Sequence, residues 1–278
     1  MTGPRSGSFT NAQPSMKDRY VHGYAADEQE RLLQQADHWR DELIVAGTTL
    51  VPGTRLLEIG CGVGAVLGIL GLAFPGIVLA GVDIEQRQIE AARQHLTRLG
   101  LEADLRRADA LALPYEDACF DHVWMIWFLE HVADPVAVLR EARRVLISGG
   151  ALTAIEVDYH TLWASPTSDA FAALATAVAR TMDATGRSDA GTRLPEWLAQ
   201  AGFVAVDPGE RRLVYSGRDL ARQAAYVAAV IESTLPGLTA MPDAAPSQFE
   251  TGLAELRALP MVAGAALGWT VHKAHAVR

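Results

Sequence analysis

Hydrophobic residues along this chain form short continuous runs that alternate with longer stretches in which they recur every three or four positions. Short runs are typical of buried strands, and the periodic stretches are typical of amphipathic helices. The runs that predict strands in the first part of the chain are 55–59, 77–82, 103–107, 120–127 and 151–157. The stretches that predict the helices between them are 65–73, 85–99 and 135–146. This alternation predicts an α/β fold with a mostly parallel sheet.

The rest of the chain adds helices on either side of this pattern. The further elements predicted in the second half are helices within 166–184, 192–203, 218–235 and 247–258, a sixth strand within 203–215 and a last strand at 265–273. The predicted organisation is a polar, flexible tail at 1–18, one domain at 19–278, a cap helix at 27–46 and helical insertions at about 163–188 and 217–260. Tyr226, Ile231 and Phe249 lie in the second insertion, where they could shape a substrate site, form helix core or form a homodimer face. The pattern leaves these alternatives open.

Composition narrows the class of protein. Half of the residues are hydrophobic, which suffices for a large core, and the net charge of −9 disfavours nucleic acid as a partner. The two cysteines, Cys61 and Cys119, predict neither a disulfide framework nor a metal site, so we expect a cytoplasmic protein. The uncharged stretch 59–82 contains glycines and a proline and does not predict a membrane span, and no pattern before it predicts a signal peptide.

The first predicted strand leads into a glycine-rich turn and then a helix, an arrangement that binds nucleotide-like ligands. The segment 60–65 satisfies the G-x-G-x-x-G/A pattern of dinucleotide-binding proteins, and Asp83 follows about 20 residues further on. Glu58 changes this interpretation because a carboxylate at the strand end repels a pyrophosphate but attracts a cation. A nicotinamide oxidoreductase is therefore the weaker alternative.

Several segments together resemble, in the right order, the motifs of the class I S-adenosylmethionine-dependent methyltransferases. They are Leu-Glu-Ile-Gly-Cys-Gly-Val-Gly at 57–64, Gly-Val-Asp-Ile at 81–84, Ala-Asp-Ala at 108–110, Leu-Glu-His at 129–131 and Arg-Arg-Val-Leu-Ile-Ser-Gly-Gly at 143–150. The resemblance covers about residues 50–160 and is nearest to the small-molecule branch that includes the ubiquinone and menaquinone methyltransferases. It implies a Rossmann-like, doubly wound sheet of seven strands in the order 3-2-1-4-5-7-6, with the last strand antiparallel, helices on both faces and helical insertions that form a lid.

The resemblance also implies where S-adenosylmethionine binds. Asp83 is expected to accept hydrogen bonds from the ribose hydroxyl groups; the alternative role for Asp83 is purely structural, as a helix N-cap. Asp109 is expected to accept a hydrogen bond from the adenine amino group. The full set of expected cofactor-binding residues is Tyr20, Glu58, Gly60, Cys61, Gly62, Asp83, Ile84, Asp109, Ala110, Met125 and Ile126. No metal is expected. For Tyr20 the alternative is packing against the cap helix.

The acceptor is less clear from the sequence. Residues 125–127 depart from the Asn/Asp-Pro-Pro-aromatic signature of methyltransferases that act on nucleobase amines or glutamine amides, so a small organic acceptor is favoured. Candidates for a general base are His131, Glu156 and His160, and a reaction driven by proximity alone would need none of them. A protein that binds S-adenosylmethionine without transferring its methyl group, such as a cyclase, is the main alternative.

Overall fold

A computed structural model describes residues 26–240 and 244–278. The strands are β1 (Arg55–Ile59), β2 (Val78–Asp83), β3 (Ala103–Arg107), β4 (Phe120–Ile126), β5 (Leu146–Ser165), β6 (Val204–Asp207), β7 (Glu210–Ser216) and β8 (Ala266–Val277). The helices are α1 (Ala26–Trp39), α2 (Ala65–Ala73), α3 (Gln86–Arg98), α4 (Pro135–Val145), α5 (Asp169–Thr185), α6 (Ala190–Gln200), α7 (Leu220–Thr239) and α8 (Pro246–Ala258). A π-helix (Arg40–Val45) continues α1, and short 3-10 turns lie at Leu129–His131, Gly217–Asp219 and Leu259–Met261.

All eight strands of the described residues belong to one sheet, in the order β3-β2-β1-β4-β5-β8-β6, with β7 also paired to β8. All pairs formed within β1 to β5 are parallel, whereas β8 is antiparallel to β5, β6 and β7. The predicted order is therefore confirmed, except that the sixth strand is divided into β6 and β7. The division falls at Pro208 and Gly209. Gly209 has φ of 57°, and a Cβ atom there would lie 1.9 Å from the carbonyl oxygen of Lys273.

Two hydrophobic cores cover the two faces of the sheet. Because successive side chains of a strand point to opposite faces, Trp124 and Ile126 of β4 belong to one core and Val123 and Met125 to the other. The first core is shared with α1, α2, α3, α5, α7 and α8, and the second with α4 and α6. Within the part of the chain described, no helix combines the length and the apolar character needed to cross a bilayer.

Strand β5 is much longer than the sequence predicts. Polar residues from Asp158 onward marked its expected end, yet β5 continues to Ser165 and stays paired with β8 after a register shift between Asp158 and Trp163. This extension projects past the carboxyl ends of the parallel strands. It therefore forms one wall of the space above the sheet, where open α/β sheets bind their ligands.

Candidate functional site

A cavity of about 230 Å³ lies at the carboxyl ends of the parallel strands, beneath α1 and α7. The loops that follow β1, β2, β3 and β4 form its floor, and β5, β8, α5 and α7 form its opposite wall. Its position matches the switch point between β1 and β4, where the strand order of an open sheet reverses. The cavity is continuous from the glycine-rich turn to the apolar wall.

The glycine-rich turn after β1 forms the floor at one end of this cavity. Gly60, Gly62 and Gly64 have φ of 75°, 49° and 72°, a region that residues with a Cβ atom rarely adopt. The N–H groups of Gly60 and Cys61 both donate to the carbonyl oxygen of Val82 at 2.9 Å, which ties the turn to β2. A Cβ atom on Gly60 would also lie 2.3 Å from the Phe128 ring, so only glycine allows the loop after β4 to approach this closely.

Asp83 ends β2 and lines the cavity beside this turn. One carboxyl oxygen accepts the N–H of Gly62 and the other accepts the N–H of Glu85, each at 2.9 Å. The residue at the N-cap of α3 is Glu85 and not Asp83. Burial raises the pKa of Asp83 above its ordinary value. Each of its oxygens retains a lone pair, which suits a ligand that offers two hydroxyl donors.

Glu58 lies within β1 and is 2% exposed. Among the described residues, none donates a hydrogen bond to its Oε2 atom. Burial and the nearby charge of Asp83 raise the pKa of Glu58 well above its ordinary value. A buried carboxyl group with an unpartnered oxygen in a cavity wall fits a cationic ligand, whose charge would complete the site. The described residues contain no cluster of side chains suited to a metal ion.

Most of the expected cofactor-binding residues meet in this cavity. Those that line it are Glu58, Gly60, Cys61, Gly62, Asp83, Ile84, Ala110 and Ile126. Asp109 does not line it, because its exposed carboxyl group turns back to accept the N–H of Leu111 at 2.9 Å. Met125 does not line it either, because the alternation along β4 places its side chain in the core on the other face. Tyr20 lies outside the described residues.

A polar cluster lies where the floor meets the opposite wall. Trp127 has φ of 47°, which is unusual for a bulky residue, and the chain then turns into the short helix that carries Glu130 and His131 to the cavity. The Oε1 atom of Glu130 lies 3.2 Å from Nε2 of His131 and accepts the phenol O–H of Tyr159, also at 3.2 Å. Burial raises the pKa of Tyr159, so it remains a donor. The cluster joins a ring nitrogen, a carboxyl group and a phenol.

The other two candidate bases do not line the cavity. Glu156 is fully buried, and its Oε1 atom accepts the N–H groups of Phe128 at 3.0 Å and Leu129 at 2.7 Å. Burial and the charge of Glu130 raise the pKa of Glu156 well above its ordinary value. Glu156 therefore holds the turn that carries His131. His160 has a half-exposed side chain and interacts through Nε2 with the Ser188 hydroxyl group at 2.7 Å.

The far end of the cavity is apolar and aromatic. Trp39 of α1 makes edge contacts with Tyr226 of α7 and Trp269 of β8, at centroid separations of 5.2 and 5.9 Å. Val227 and Ile231 of α7 continue this wall. The sequence pattern indicates Tyr226 and Ile231 as candidates for this site, but it does not indicate Trp39 and Trp269 as cavity residues. Helical and strand periodicity marks both tryptophans as inward-facing, but periodicity does not tell a core position from a cavity wall.

Comparisons with known proteins agree with this architecture. A family described as a methyltransferase domain matches residues 57–154. A 27-O-demethylrifamycin SV methyltransferase of Amycolatopsis mediterranei is 37% identical over 134 residues, which is 47% of this chain and 48% of that protein. The crystal structure of the (4+2)-cyclase SpnF has a TM-score of 0.54 at 23% identity and covers 87% of this chain and 81% of its own, which shows a shared fold.

One relative matches over most of its length. A ubiquinone biosynthesis O-methyltransferase of Stutzerimonas stutzeri is 30% identical over 176 residues, which is 61% of this chain and 71% of that protein. Of three other curated relatives, the chain spans 48%, 38% and 32% of the length. The motifs at the carboxyl ends of β1 and β2, the order of the strands and this relative lead to one conclusion: the chain belongs to the class I S-adenosylmethionine-dependent methyltransferases.

Proposed function

We propose that this protein transfers the methyl group of S-adenosylmethionine to a hydroxyl group of a small, largely apolar molecule, with S-adenosylhomocysteine as the product. The observation that carries the proposal is a single cavity with two different ends. One end has the glycine-rich turn and two carboxyl groups, and the other end is apolar and aromatic. The His131 cluster lies where the two ends meet, which is where a methyl group would pass from donor to acceptor.

Residues at the first end fit the cofactor. The unpartnered oxygen of Glu58 suits its α-ammonium group, and the two oxygens of Asp83 suit the ribose hydroxyl groups. Ile84 and Ala110 offer apolar surface for the adenine ring. S-adenosylmethionine supplies a methyl group on a positively charged sulfur; the acceptor oxygen would form a bond to the methyl carbon as the carbon–sulfur bond breaks, and S-adenosylhomocysteine would leave with the electron pair on sulfur.

The residues at the junction would orient the acceptor and receive its proton. When Nε2 of His131 donates to Glu130, Nδ1 is the acceptor nitrogen of the ring, so Glu130 selects the tautomer that can take a proton. We assign the role of general base to His131, and to neither Glu156 nor His160, because of these three only His131 lines the cavity. Helices α1 and α7 cover the site and exclude water, which favours the in-line approach.

Two observations support an apolar acceptor with a hydroxyl group. The far end of the cavity presents Trp39, Tyr226, Trp269, Val227 and Ile231, so a molecule held there gains mainly from burial of apolar surface. The relatives from Amycolatopsis mediterranei and Stutzerimonas stutzeri carry names that describe O-methylation. The likeness to the cyclase SpnF concerns the fold alone and does not favour cyclisation.

A calorimetric titration with S-adenosylhomocysteine tests the cofactor, with NADH as the control ligand. We expect saturable binding of the first and none of the second. Acceptors are then screened as apolar phenols and alcohols with methyl-labelled S-adenosylmethionine. The proposal predicts label in the acceptor with an equal amount of S-adenosylhomocysteine formed. Conversion of an acceptor without S-adenosylhomocysteine would contradict methyl transfer and point to a cyclase.

A further inference from the structure

We propose that Lys273 is a positioning residue that fastens the end of the cap helix to the sheet and thereby sets the affinity for the cofactor. The cap helix is defined here as α1 with its π-helical continuation, residues 26–45. This inference rests on the proposed function, because it concerns the closure of the same cavity. It is carried by a set of hydrogen bonds between Lys273 and the end of the cap helix.

Lys273 lies in β8 and is 1% exposed. Its ammonium group donates to the carbonyl oxygens of Leu43 at 2.8 Å, Ile44 at 3.3 Å and Ala46 at 2.7 Å, and to the Thr48 hydroxyl group at 2.8 Å. Burial and the nearby Arg211 lower the pKa of Lys273 to about 8, so the amine is mainly protonated at neutral pH. A buried cation is costly unless its donors are satisfied, and here four acceptors surround it.

Every carbonyl group at this helix end has a partner. The last carbonyls of a helix have no partner within the helix and require capping groups from elsewhere. The carbonyl of Asp41 accepts the N–H of Ala46, and that of Val45 accepts the N–H of Thr48. The carbonyl of Glu42 accepts from Arg211 of β7 at 3.1 Å. The carbonyls of Leu43, Ile44 and Ala46 accept from Lys273. Side chains of the sheet therefore cap the helix.

The capped segment belongs to the wall of the cavity. Leu43 and Trp39 line it from the cap helix, and about two turns before Trp39, Leu32 lies 3.7 Å from the position that a Cβ atom on Gly62 would take. On β8, Trp269 and Val271 line the same cavity, and alternation along the strand puts Lys273 on the face that they share. The cation thus joins the two elements between which the cavity closes. Loss of this link frees the cap helix to move away from the glycine-rich turn.

Lys273→Met tests the inference, because it removes the donors and keeps an unbranched side chain of similar length. We expect S-adenosylhomocysteine to bind about tenfold more weakly, since the bound state must then restrain the helix end without its cap. Backbone amides of residues 40–48 should exchange faster with deuterium, and added S-adenosylhomocysteine should slow them only in part. Lys273→Gln retains two donors and should fall between Met and wild type in both measurements.

Thr153→Val is the matched control. Thr153 is fully buried and links His122 and His275 at 2.9 and 3.0 Å, so its loss also removes buried hydrogen bonds, but none to the cap helix. This variant should lose stability while affinity and exchange at residues 40–48 stay at wild-type values. If Lys273→Met fails to fold, Thr48→Val takes its place, because it removes one of the four acceptors. It should weaken S-adenosylhomocysteine binding and speed exchange at residues 40–48 to a smaller extent.

The inference is overturned if Lys273→Met, or Thr48→Val in its place, matches Thr153→Val in affinity and in exchange at residues 40–48. A failed proposed function looks different. In that case wild-type protein does not bind S-adenosylhomocysteine at all, and the exchange of residues 40–48 in the variants still decides whether Lys273 fastens the helix.

Discussion

Three glutamates around the carboxyl edge of the sheet are each at most 2% exposed and differ in their surroundings. In all three, no described residue donates a hydrogen bond to the Oε2 atom, but Glu58 and Glu130 line the cavity and Glu156 does not. Glu130 also receives the Tyr159 hydroxyl group, and Glu156 receives two backbone N–H groups. The sequence shows the same residue type in all three cases. Only the surroundings, which come from distant segments, separate a carboxyl group that lines the cavity from one that holds a turn.

Glu58 should release a proton when S-adenosylhomocysteine binds. Its pKa is raised by burial and by Asp83, and the α-ammonium group of the ligand favours the charged form, so binding lowers this pKa. Calorimetry at a series of pH values, in two buffers of different ionisation enthalpy at each pH, measures the release. Glu58→Gln should abolish it, while Glu156→Gln should leave it intact because Glu156 does not line the cavity. Equal binding enthalpies in both buffers for wild type would contradict this assignment.

Asp83→Ala should weaken S-adenosylhomocysteine binding by roughly tenfold to a hundredfold, the range for a lost hydrogen bond to a charged group. The variant should also be less stable, because the N–H groups of Gly62 and Glu85 lose their acceptor. Asp104→Ala is the control: Asp104 lies on the neighbouring strand and pairs with Arg106 at the surface. Titration and thermal unfolding separate the two effects. Wild-type affinity in Asp83→Ala would exclude the ribose assignment.

Elements were predictable where their pattern is local. The strands and helices from β1 to α4 follow from apolar runs and periodicity, and β3 is found at the predicted residues. The end of β5 was not predictable, because polar residues from Asp158 onward are tolerated in a ribbon whose backbone bonds are supplied by β8. The division of the sixth strand depends likewise on how closely Gly209 approaches Lys273. Both features depend on pairing between segments far apart in sequence.

Gly209→Ala should destabilise the protein much more than Gly217→Ala. Both glycines have nearly the same positive φ, 57° and 59°, so backbone strain should lower the unfolding free energy of both variants by about 1 kcal/mol. A Cβ atom at Gly209 also meets the Lys273 carbonyl group, whereas one at Gly217 has nothing within 4 Å. We expect the clash to add about 2 kcal/mol or more in urea unfolding. Equal losses for the two variants would show that β7 shifts freely.

At the scale of the whole molecule, the sequence predicted the sheet order, most residues at the glycine-rich end of the cavity and the presence of covering helices. It did not predict which apolar residues of those helices face the cavity, because core and cavity wall have the same periodicity. Trp39 and Trp269 become neighbours only when α1 and β8 meet above the sheet. It also did not predict the buried cation of Lys273. Its acceptors are backbone carbonyl groups, which every residue has, so the residue types do not reveal them.

The buried histidines should destabilise the molecule in mild acid. Burial lowers the pKa of His122 to about 4 and lowers the pKa values of His38, His95, His272 and His275. At these five histidines the unfolded chain binds more protons than the native chain below pH 6.5, so their contribution to stability is lost as pH falls towards 4, whereas the raised pKa values of Glu58, Asp83 and Glu156 act in the opposite direction. His122 alone contributes up to about 3 kcal/mol. His122→Gln should flatten this part of the curve of unfolding free energy against pH, and an unchanged slope would contradict the assignment.

The contact between Lys273 and Leu43 spans 230 positions of the chain. Synthesis proceeds from the amino end, so β1 to β5 leave the ribosome and can begin to pair while the cap helix still lacks its partner in β8. In a nascent chain at that stage the glycine-rich turn has been made, but β8 is absent. The cap helix is then not fastened over the turn, and the carbonyls of Leu43 and Ala46 bond to water. Under the role proposed for Lys273, tight binding of the cofactor would require β8, and an occupied site would mark a chain whose synthesis has passed that strand.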